Sequence, residues 1–559
     1  MTNPELLLQI DELQVDFKSK EQWNPVVKDI HLQVFKGKTL AIVGESGSGK
    51  TVTSLAALGL LPAGISRIQK GKMILMPEKS ELNHLPEKEW LAIRGKRLSM
   101  IFQDPMSSLN PSHTCLKQVA EIIEVHEGGS KELIHQRVVD LFKEVQLPDP
   151  ENIGLRFPHE LSGGQKQRVM IAMAIACNPD LLIADEPTTA LDVTVQHAIL
   201  KLLKRLQSKY GMGMIFISHD LDVVAEIADE IAVMYQGELV ELAPAQEILT
   251  NAKHPYTRGL IACKPPKDYK PRRLLTVSEF LENPEAGNQS AGVKNESALF
   301  EENYLEVRNL TCDFVTKRNL WGKPLEYFRA VDHVSFDLKK GETLGLVGES
   351  GCGKSTLSRL LLGLIPATSG KVLFQDLNLM DLSASEWMPY RQKMQLIFQD
   401  PYSALNPRKS VGQCLMEVLR IHGAKEVKER AFELLDQVGL KPEEFYRYPH
   451  AFSGGQRQRI NIARALATNP DFLICDESVS ALDVSVQAQV LNLLNDLKDK
   501  LKLTYIFISH DLSVVHYMSD RIMVMNKGKI EEIGNADDVF HRPKSVYAQE
   551  LISSIPGRK

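Results

Sequence analysis

The chain has 559 residues, of which 43% are hydrophobic and 25% charged, and its formal net charge at pH 7 is −5. Because single hydrophobic cores stop growing at about 250–300 residues, we expect more than one domain. The negative charge gives no support to a general nucleic-acid role, and no run approaches the ~18 apolar residues of a membrane span. The start of the chain lacks the basic-then-apolar layout of a signal peptide. Composition therefore predicts a cytoplasmic protein.

Strand-like sequence opens the chain at Leu8–Phe17 and recurs at Leu305–Phe314. Further on, Gly44 and Gly348 are 304 residues apart, and later landmarks such as Asp185 and Asp476 keep a spacing of 291. A fixed spacing with short insertions indicates a duplicated domain. In each copy, continuous apolar runs separated by helical patterns predict an α/β fold with a mostly parallel core sheet, an N-terminal β-rich part and a helical part.

Composition changes between the two copies. Prolines and a polar run fill the stretch from residue 264 to 303, which predicts a flexible, partly extended tether. We therefore expect a first domain over 1–263, a linker over 264–303 and a second domain over 304–559. The seven cysteines show no metal-ligand spacing, and their odd number argues against a disulfide framework, so we expect reduced, buried thiols.

A glycine-rich loop of the form G-x-x-x-x-G-K-[ST] follows a strand and precedes a helix in both copies. Its glycines let backbone N–H groups wrap a phosphate at the N-terminus of the helix. In this pattern Lys50 and Lys354 reach the β- and γ-phosphates, while Thr51 and Ser355 coordinate Mg²⁺. The predicted nucleotide-binding residues are Gly44, Glu45, Ser46, Gly47, Ser48, Gly49, Lys50 and Thr51 in the first copy, and Gly348, Glu349, Ser350, Gly351, Cys352, Gly353, Lys354 and Ser355 in the second.

Two carboxylates end a later apolar strand in each copy, as Asp185-Glu186 and Asp476-Glu477. A carboxylate at this position can hold Mg²⁺, and the next one can polarise an attacking water. A solvated strand end has the same appearance, and it is the preceding phosphate loop that favours the catalytic interpretation. We therefore predict Asp185 and Asp476 as metal ligands and Glu186 and Glu477 as catalytic residues.

A Ser-Gly-Gly-Gln segment starts a long helix in both copies. Its hydroxyl and unhindered N–H groups could form a second anion site, although an ordinary Ser N-cap with turn glycines has the same pattern. The segments comprise Ser162, Gly163, Gly164 and Gln165 in the first copy and Ser453, Gly454, Gly455 and Gln456 in the second.

These three motifs together resemble the ATPase subunit of ABC transporters over nearly the whole chain. The resemblance implies two tandem P-loop NTPase domains of the ABC type, each with an antiparallel β subdomain and a helical subdomain. It also implies that Gln103 and Gln399 contact Mg²⁺ and the attacking water, and that His219 and His510 contact the γ-phosphate. Segments Ala190–Asp192 and Ser480–Asp483 match the family's D-loop. The implied cofactors are ATP and Mg²⁺.

The family geometry implies that two ATPase domains close head to tail around two ATP molecules. Residues 44–51 would then face 453–456, and 348–355 would face 162–165. Both copies keep the Lys, Asp, Glu, Ser and His of the motifs, so we predict two hydrolytically competent sites. Ser478 replaces the usual Pro after Glu477, which makes that site the less certain of the two. Phe17 and Phe314 are the candidates to stack on adenine; Tyr327 or Phe328 is a rival in the second copy, and a core-facing role is an alternative for each.

The segments Phe102–Pro111 and Phe398–Pro407 and the tail His254–Leu260 are similar to the dipeptide/oligopeptide/nickel importers. The fused form resembles the double ATPases of glutathione or microcin C-type peptide importers. This implies an ATP-hydrolysing subunit that energises import of peptides or similar small solutes. The implied partners are two membrane permease subunits and an extracytoplasmic solute-binding protein. The permease subunits would dock just after Gln103 and Gln399, the glutamines of the family's Q-loop. One chain would supply the ATPase pair on the cytoplasmic face of the inner membrane, without nucleic acid.

Two alternatives remain at the level of sequence. Fused ABC ATPases without membrane spans also include translation factors that act on the ribosome, although their linkers are longer and more charged. The cargo could equally be nickel or another small solute. A DNA-repair ABC ATPase would need zinc cysteines that the sequence lacks, and with only Cys263 near the tail we assign no iron–sulfur site.

Overall fold

The computed structural model describes residues 5–189, 191–283, 302–319, 321, 323–480 and 482–555. The chain divides into two compact units, with the boundary between Ile261 and Ala262. Both units have the α/β architecture that the sequence predicts. Two predicted D-loop residues, Ala190 and Ala481, and the linker stretch 284–301 lie outside the described residues.

The first unit contains an antiparallel sheet in the order β2-β1-β4-β5 and a six-stranded sheet in the order β10-β9-β3-β8-β7-β6. The six-stranded sheet is parallel except for its edge strand β10. The elements are β1 (Leu6–Ser19), β2 (Gln22–Phe35), β3 (Thr39–Val43), α1 (Lys50–Ala57), β4 (Ser66–Leu75), β5 (Ser80–Glu81), α2 (Glu87–Ile93), β6 (Leu98–Ile101), α3 (Pro105–Ser108), α4 (Cys115–His126), α5 (Lys131–Glu144), α6 (Pro150–Leu155), α7 (Gly163–Ile175), β7 (Leu181–Asp185), α8 (Val193–Tyr210), β8 (Gly213–Ser218), α9 (Leu221–Ile227), β9 (Glu230–Tyr235), β10 (Glu238–Pro244), α10 (Ala245–Asn251) and α11 (Pro255–Ala262).

The second unit repeats this arrangement, with sheets in the orders β12-β11-β14-β15 and β16-β17-β18-β13-β19-β20. Its elements are α12 (Val277–Glu282), β11 (Asn303–Arg318), β12 (Pro324–Lys339), β13 (Thr343–Val347), α13 (Lys354–Leu361), β14 (Ser369–Phe374), β15 (Leu377–Asn378), α14 (Met388–Lys393), β16 (Met394–Ile397), α15 (Val411–Ile421), α16 (Val427–Gln437), α17 (Gly454–Leu466), β17 (Phe472–Asp476), α18 (Val484–Leu501), β18 (Thr504–Ile508), α19 (Leu512–Met518), β19 (Arg521–Asn526), β20 (Lys529–Asn535), α20 (Ala536–His541) and α21 (Val546–Ser553).

The core of the first unit lies between its two sheets. Leu13 of β1, Ala57 of α1 and Ile183 of β7 are fully buried members of one hydrophobic cluster. The central strands β3, β7 and β8 are buried along their whole length, as expected for parallel strands covered on both faces. Helix α1, which follows the phosphate loop, therefore packs into the same core as strand β7, which ends at Asp185. All seven cysteines are buried thiols, as predicted.

Part of the predicted linker packs against the second unit. Leu274, Val277 and Phe280 are 2–5% exposed, and Thr276 caps α12 through a capping box. The amide side chain of Asn492 accepts the Leu274 N–H at 3.0 Å and donates to the Leu274 carbonyl at 2.8 Å. Residues 264–283 thus differ from the predicted flexible tether, because their apolar residues follow a helical spacing that the neighbouring prolines obscure.

None of the described helices combines the length and apolar character that a membrane crossing requires.

Candidate active site

Three motifs of the first unit meet at one edge of its six-stranded sheet. Strand β8 pairs in parallel with β3 and with β7, and the register places Val43 beside Ser218 and Asp185 beside Ile217. The phosphate loop follows β3, Glu186 follows β7 and His219 follows β8. Carboxyl ends of parallel strands share an edge, which is where ligands bind in open α/β sheets. The second unit has the same registers around β18.

The phosphate loop is held by its own lysine. Lys50 is 5% exposed, and its Nζ donates to the carbonyls of Gly44 and Glu45, at 2.8 Å each. In the second unit Lys354 donates to the carbonyls of Gly348 and Glu349, at 2.7 and 2.9 Å. A buried ammonium held by loop carbonyls is electrostatically suited to receive phosphate oxygens.

A hydroxyl and a carboxylate lie side by side at the predicted metal position. Thr51 Oγ1 is 3.3 Å from Asp185 Oδ1, and Ser355 Oγ is 3.3 Å from Asp476 Oδ1. Burial raises the pKa of Asp185 to about 6 and also raises the pKa of Asp476. A divalent cation would favour the ionised form of such buried carboxylates, and hard oxygen donors are what Mg²⁺ prefers. The residues present therefore fit Mg²⁺.

Glu186 lies at the centre of a hydrogen-bond network. Its carboxylate accepts the Gln103 amide at 2.9 Å and lies 3.2 Å from His219 Nδ1. Burial acts to raise the pKa of Glu186, but the hydrogen bonds from His219 and Gln103 prevail and lower it to about 2. The residue also adopts a left-handed φ of 46°, a strained conformation for a non-glycine residue that clusters at functional sites. The carboxylate is thus ionised and fixed in position, as a group that orients water requires.

The second unit repeats this network, except that the histidine lies farther from the glutamate. Gln399 donates to Glu477 at 2.6 Å, and Glu477 has a φ of 47°. The neighbouring His510 lowers the pKa of Glu477, but its Nδ1 lies 3.9 Å from the carboxylate, beyond hydrogen-bond distance and farther than its counterpart. Both predicted Gln residues therefore contact the candidate base through their amide groups.

Thr189 is a contact that the motif analysis missed. Its hydroxyl donates to the Glu186 carboxylate at 3.0 Å, whereas Ser480, the equivalent residue, donates to the Glu477 backbone carbonyl at 2.8 Å. The available signal was a hydroxyl residue three positions after each glutamate.

The Ser-Gly-Gly-Gln segments are helix N-termini, as both interpretations of their sequence predict. Ser162 caps α7 by accepting the Gln165 N–H, and the Gln165 side chain accepts the Ser162 N–H in return. Ser453 and Gln456 form the same capping box on α17. Both serines remain exposed. The cap is therefore present at each segment, and the exposed serine leaves each helix N-terminus accessible.

The adenine candidates differ in their surroundings. Phe17 is half-buried and packs against the hydrophobic core of the first unit, whereas Phe314 is 42% exposed and pairs across the strand with Phe328. Tyr327 is also exposed. The core-facing alternative thus applies in part to Phe17, while the second unit offers several exposed rings.

Comparison with known proteins gives the family. The model of the ABC transporter family matches residues 27–189 and again 331–480. The chain belongs to the ABC transporter family. The model of the oligopeptide/dipeptide transporter C-terminal region matches residues 240–292. The chain is therefore an ABC-type ATPase of the importer class. The family resemblance and the fold class that the sequence predicts are both confirmed.

Relatives extend along nearly the whole chain. The glutathione import ATP-binding protein GsiA of Escherichia coli K12 is 45% identical over 98% of this chain and 89% of its own length. The protein of the same name from Salmonella paratyphi A is 44% identical over the same shares. Among solved structures, the ATP-binding cassette MJ0796 in a dimeric post-hydrolysis state matches 42% of this chain and 98% of its own, with 28% identity and a TM-score of 0.38.

Proposed function

We propose that this chain is the ATPase subunit that drives import of short peptides or glutathione-like solutes through a membrane ABC transporter. The observation that carries the proposal is 45% identity along 98% of the chain to a protein named for glutathione import. The oligopeptide/dipeptide region at residues 240–292 supports the same cargo class. Neither finding favours a translation factor that acts on the ribosome.

The proposal includes hydrolysis of ATP with Mg²⁺. Thr51 and Asp185 would hold the metal in the first unit, and Ser355 and Asp476 in the second. The bound cation would neutralise charge on the phosphates. Glu186 and Glu477, ionised and fixed by their glutamine and histidine neighbours, orient the attacking water. Lys50 and Lys354 exchange loop carbonyls for phosphate oxygens when the nucleotide binds.

Permease subunits would bind where exposed apolar side chains flank Gln103 and Gln399, the Q-loop glutamines. Met106 and Tyr402 are both 64% exposed in this position, and Phe102 and Phe398 are both 42% exposed. Exposed apolar residues repeated at equivalent places of both units favour a protein partner over solvent. Two permease subunits on the cytoplasmic face of the membrane, with an extracytoplasmic solute-binding protein, would complete the transporter.

The experiment that tests the proposed cargo is uptake in cells that lack this chain. We expect wild-type protein to restore uptake of labelled glutathione or of di- and tripeptides, and to co-purify with permease subunits from membranes. The double variant Glu186→Gln/Glu477→Gln, which keeps the fold, is the matched control and should co-purify without restoring uptake. Restored uptake of nickel alone, or co-purification with ribosomes in place of permeases, would contradict the proposal.

A further inference from the structure

The tail helix of each unit contacts the phosphate loop of the same unit through a tyrosine. The Glu45 N–H donates to Tyr256 Oη at 3.0 Å, and the Glu349 N–H donates to Tyr547 Oη at 3.1 Å. Tyr256 and Tyr547 lie 291 residues apart, the spacing of the domain repeat. The contact therefore occurs at the same place in both copies.

The tyrosine and the loop lysine hold the two ends of one peptide group. The peptide between Gly44 and Glu45 donates its N–H to Tyr256, while its carbonyl accepts from Lys50 at 2.8 Å. In the second unit the corresponding carbonyl, that of Gly348, accepts from Lys354 at 2.7 Å. When the lysine binds a phosphate in place of this carbonyl, the hydrogen bond to the tyrosine still fixes the orientation of the peptide plane.

In each unit an equivalent glutamate carboxylate fixes the backbone just before the helix that carries the tyrosine. The Glu241 carboxylate on β10 accepts the N–H groups of Lys253 and His254 at 2.7 and 3.2 Å, just before α11. Glu532 on β20 accepts the N–H groups of Lys544 and Ser545 in the same way before α21. The second tail has lost the His-Pro of the first but retains this anchor and the tyrosine. Retention of these two groups within one chain favours a role for the hydroxyl beyond packing.

The surroundings of the two rings differ. Tyr256 is 0% exposed and packs at a tilt of 31° against the ring of Tyr235, with ring centroids 4.1 Å apart. Tyr547 is half-buried, and its partial burial raises its pKa to about 12. The Tyr547 hydroxyl is therefore protonated near neutral pH, and a phenolic oxygen in either unit can accept the loop N–H. Both loop N–H groups lie in partly buried hydrogen bonds, but Tyr256 is the more deeply buried tyrosine, so water has less room to replace its hydroxyl than that of Tyr547.

We propose that Tyr256 and Tyr547 are positioning residues for nucleotide binding, which keep the first peptide of each phosphate loop oriented while its lysine engages phosphate. The inference rests on the assignment of the loops as ATP sites. It predicts that loss of either hydroxyl weakens ATP binding through the loop, with little effect on turnover once ATP is bound.

The test measures ATP affinity one loop at a time in the full chain. In a Lys354→Ala background, which blocks the second loop, Tyr256→Phe should raise the Kd and the KM for MgATP about fivefold, with kcat within about twofold. The control variant Tyr235→Phe removes the hydroxyl of the ring that packs against Tyr256 but leaves the hydrogen bond from Tyr256 to the loop in place. It should leave the Kd unchanged. Equal Kd values for these two variants would overturn the proposal, as would a fall in melting temperature and kcat at constant Kd.

Tyr547, the half-buried tyrosine, allows a second and independent test. In a Lys50→Ala background, Tyr547→Phe should fold normally and raise the Kd about twofold. An unchanged Kd there would overturn the proposal even if Tyr256→Phe misfolds. Absence of ATP binding in both parent chains would overturn the site assignment and this inference with it, whereas normal parental binding with unchanged variants would overturn the inference alone.

Discussion

Thr189 marks a difference between the two candidate bases at the scale of single residues. Its hydroxyl donates to the Glu186 carboxylate, whereas Ser480 donates to the backbone of Glu477. Thr189→Val removes that hydrogen bond at nearly constant volume, so we expect hydrolysis at the first site to be about threefold to tenfold slower and the total rate to fall toward about half of wild type. Steady-state ATPase measurement checks this. Ser480→Ala is the control, and a loss as large as that of Thr189→Val would contradict the assigned contact.

His516 predicts a pH dependence of stability in the second unit. Burial, reinforced by the charge of Lys270, lowers its pKa to about 4, below the ~6.5 of an unfolded chain. Between these values the unfolded chain binds a proton that the folded unit does not, so the free energy of unfolding falls as pH falls through this window. Asp537, which lies 2.7 Å from the imidazole, and His541 are the other titratable groups in contact.

We expect His516→Gln to remove about 3 kcal/mol of the stability difference between pH 7 and pH 4. Chemical denaturation at several pH values measures it. The exposed neighbour His541 serves as control, because His541→Gln should leave the slope of the wild-type chain in place. A slope unaltered by His516→Gln would show that another group sets the pH dependence.

Motif residues could be predicted from sequence because their chemistry requires particular residue types at fixed spacing. Lys50, Asp185 and Glu186 lie together as expected, since strand order brings their loops to one edge. Thr189 and Tyr256 could not be predicted, because each acts through one hydrogen bond whose partner is set by packing. Tyr256 in particular is 211 residues from Glu45 in the chain.

Helix α12 is the main departure at the scale of elements. Prolines before it suggested an extended tether, yet three apolar side chains and a capping box form a short helix against the second unit. The decisive contacts come from Asn492, which bonds both backbone groups of Leu274. A sequence pattern shows a helical spacing, but the surface that receives it becomes visible only in three dimensions.

Asn492→Ala should therefore destabilise the docking of this segment. It leaves a buried N–H and a buried carbonyl of Leu274 without their side-chain partner, at a cost of about 1–3 kcal/mol. Limited proteolysis between residues 267 and 283 and chemical denaturation measure the change. The matched control is Arg273→Gln, which breaks an exposed ion pair with Asp496 and should cost less than about 1 kcal/mol. Equal protease resistance of Asn492→Ala and wild type would contradict this account of docking.

At the scale of the whole molecule, duplication has kept the catalytic groups in both units. Each has a buried loop lysine, a hydroxyl–carboxylate pair at 3.3 Å and a glutamate in left-handed conformation bonded to a glutamine. Glu477, which precedes Ser478, has nearly the same φ as Glu186, which precedes Pro187, at 47° and 46°. The structure thus supports the proposal that both units hydrolyse ATP. The main difference between the two sites is the longer contact of His510 with Glu477.

Steady-state ATP hydrolysis of Glu186→Gln, Glu477→Gln and the double variant, in the complete chain, tests this central claim most directly. Each single change removes one ionised base and should lower the rate by a similar factor, to about half of wild type or below. The double variant should be nearly inactive. Full activity of Glu186→Gln together with loss of all activity in Glu477→Gln, or the reverse, would contradict equal competence.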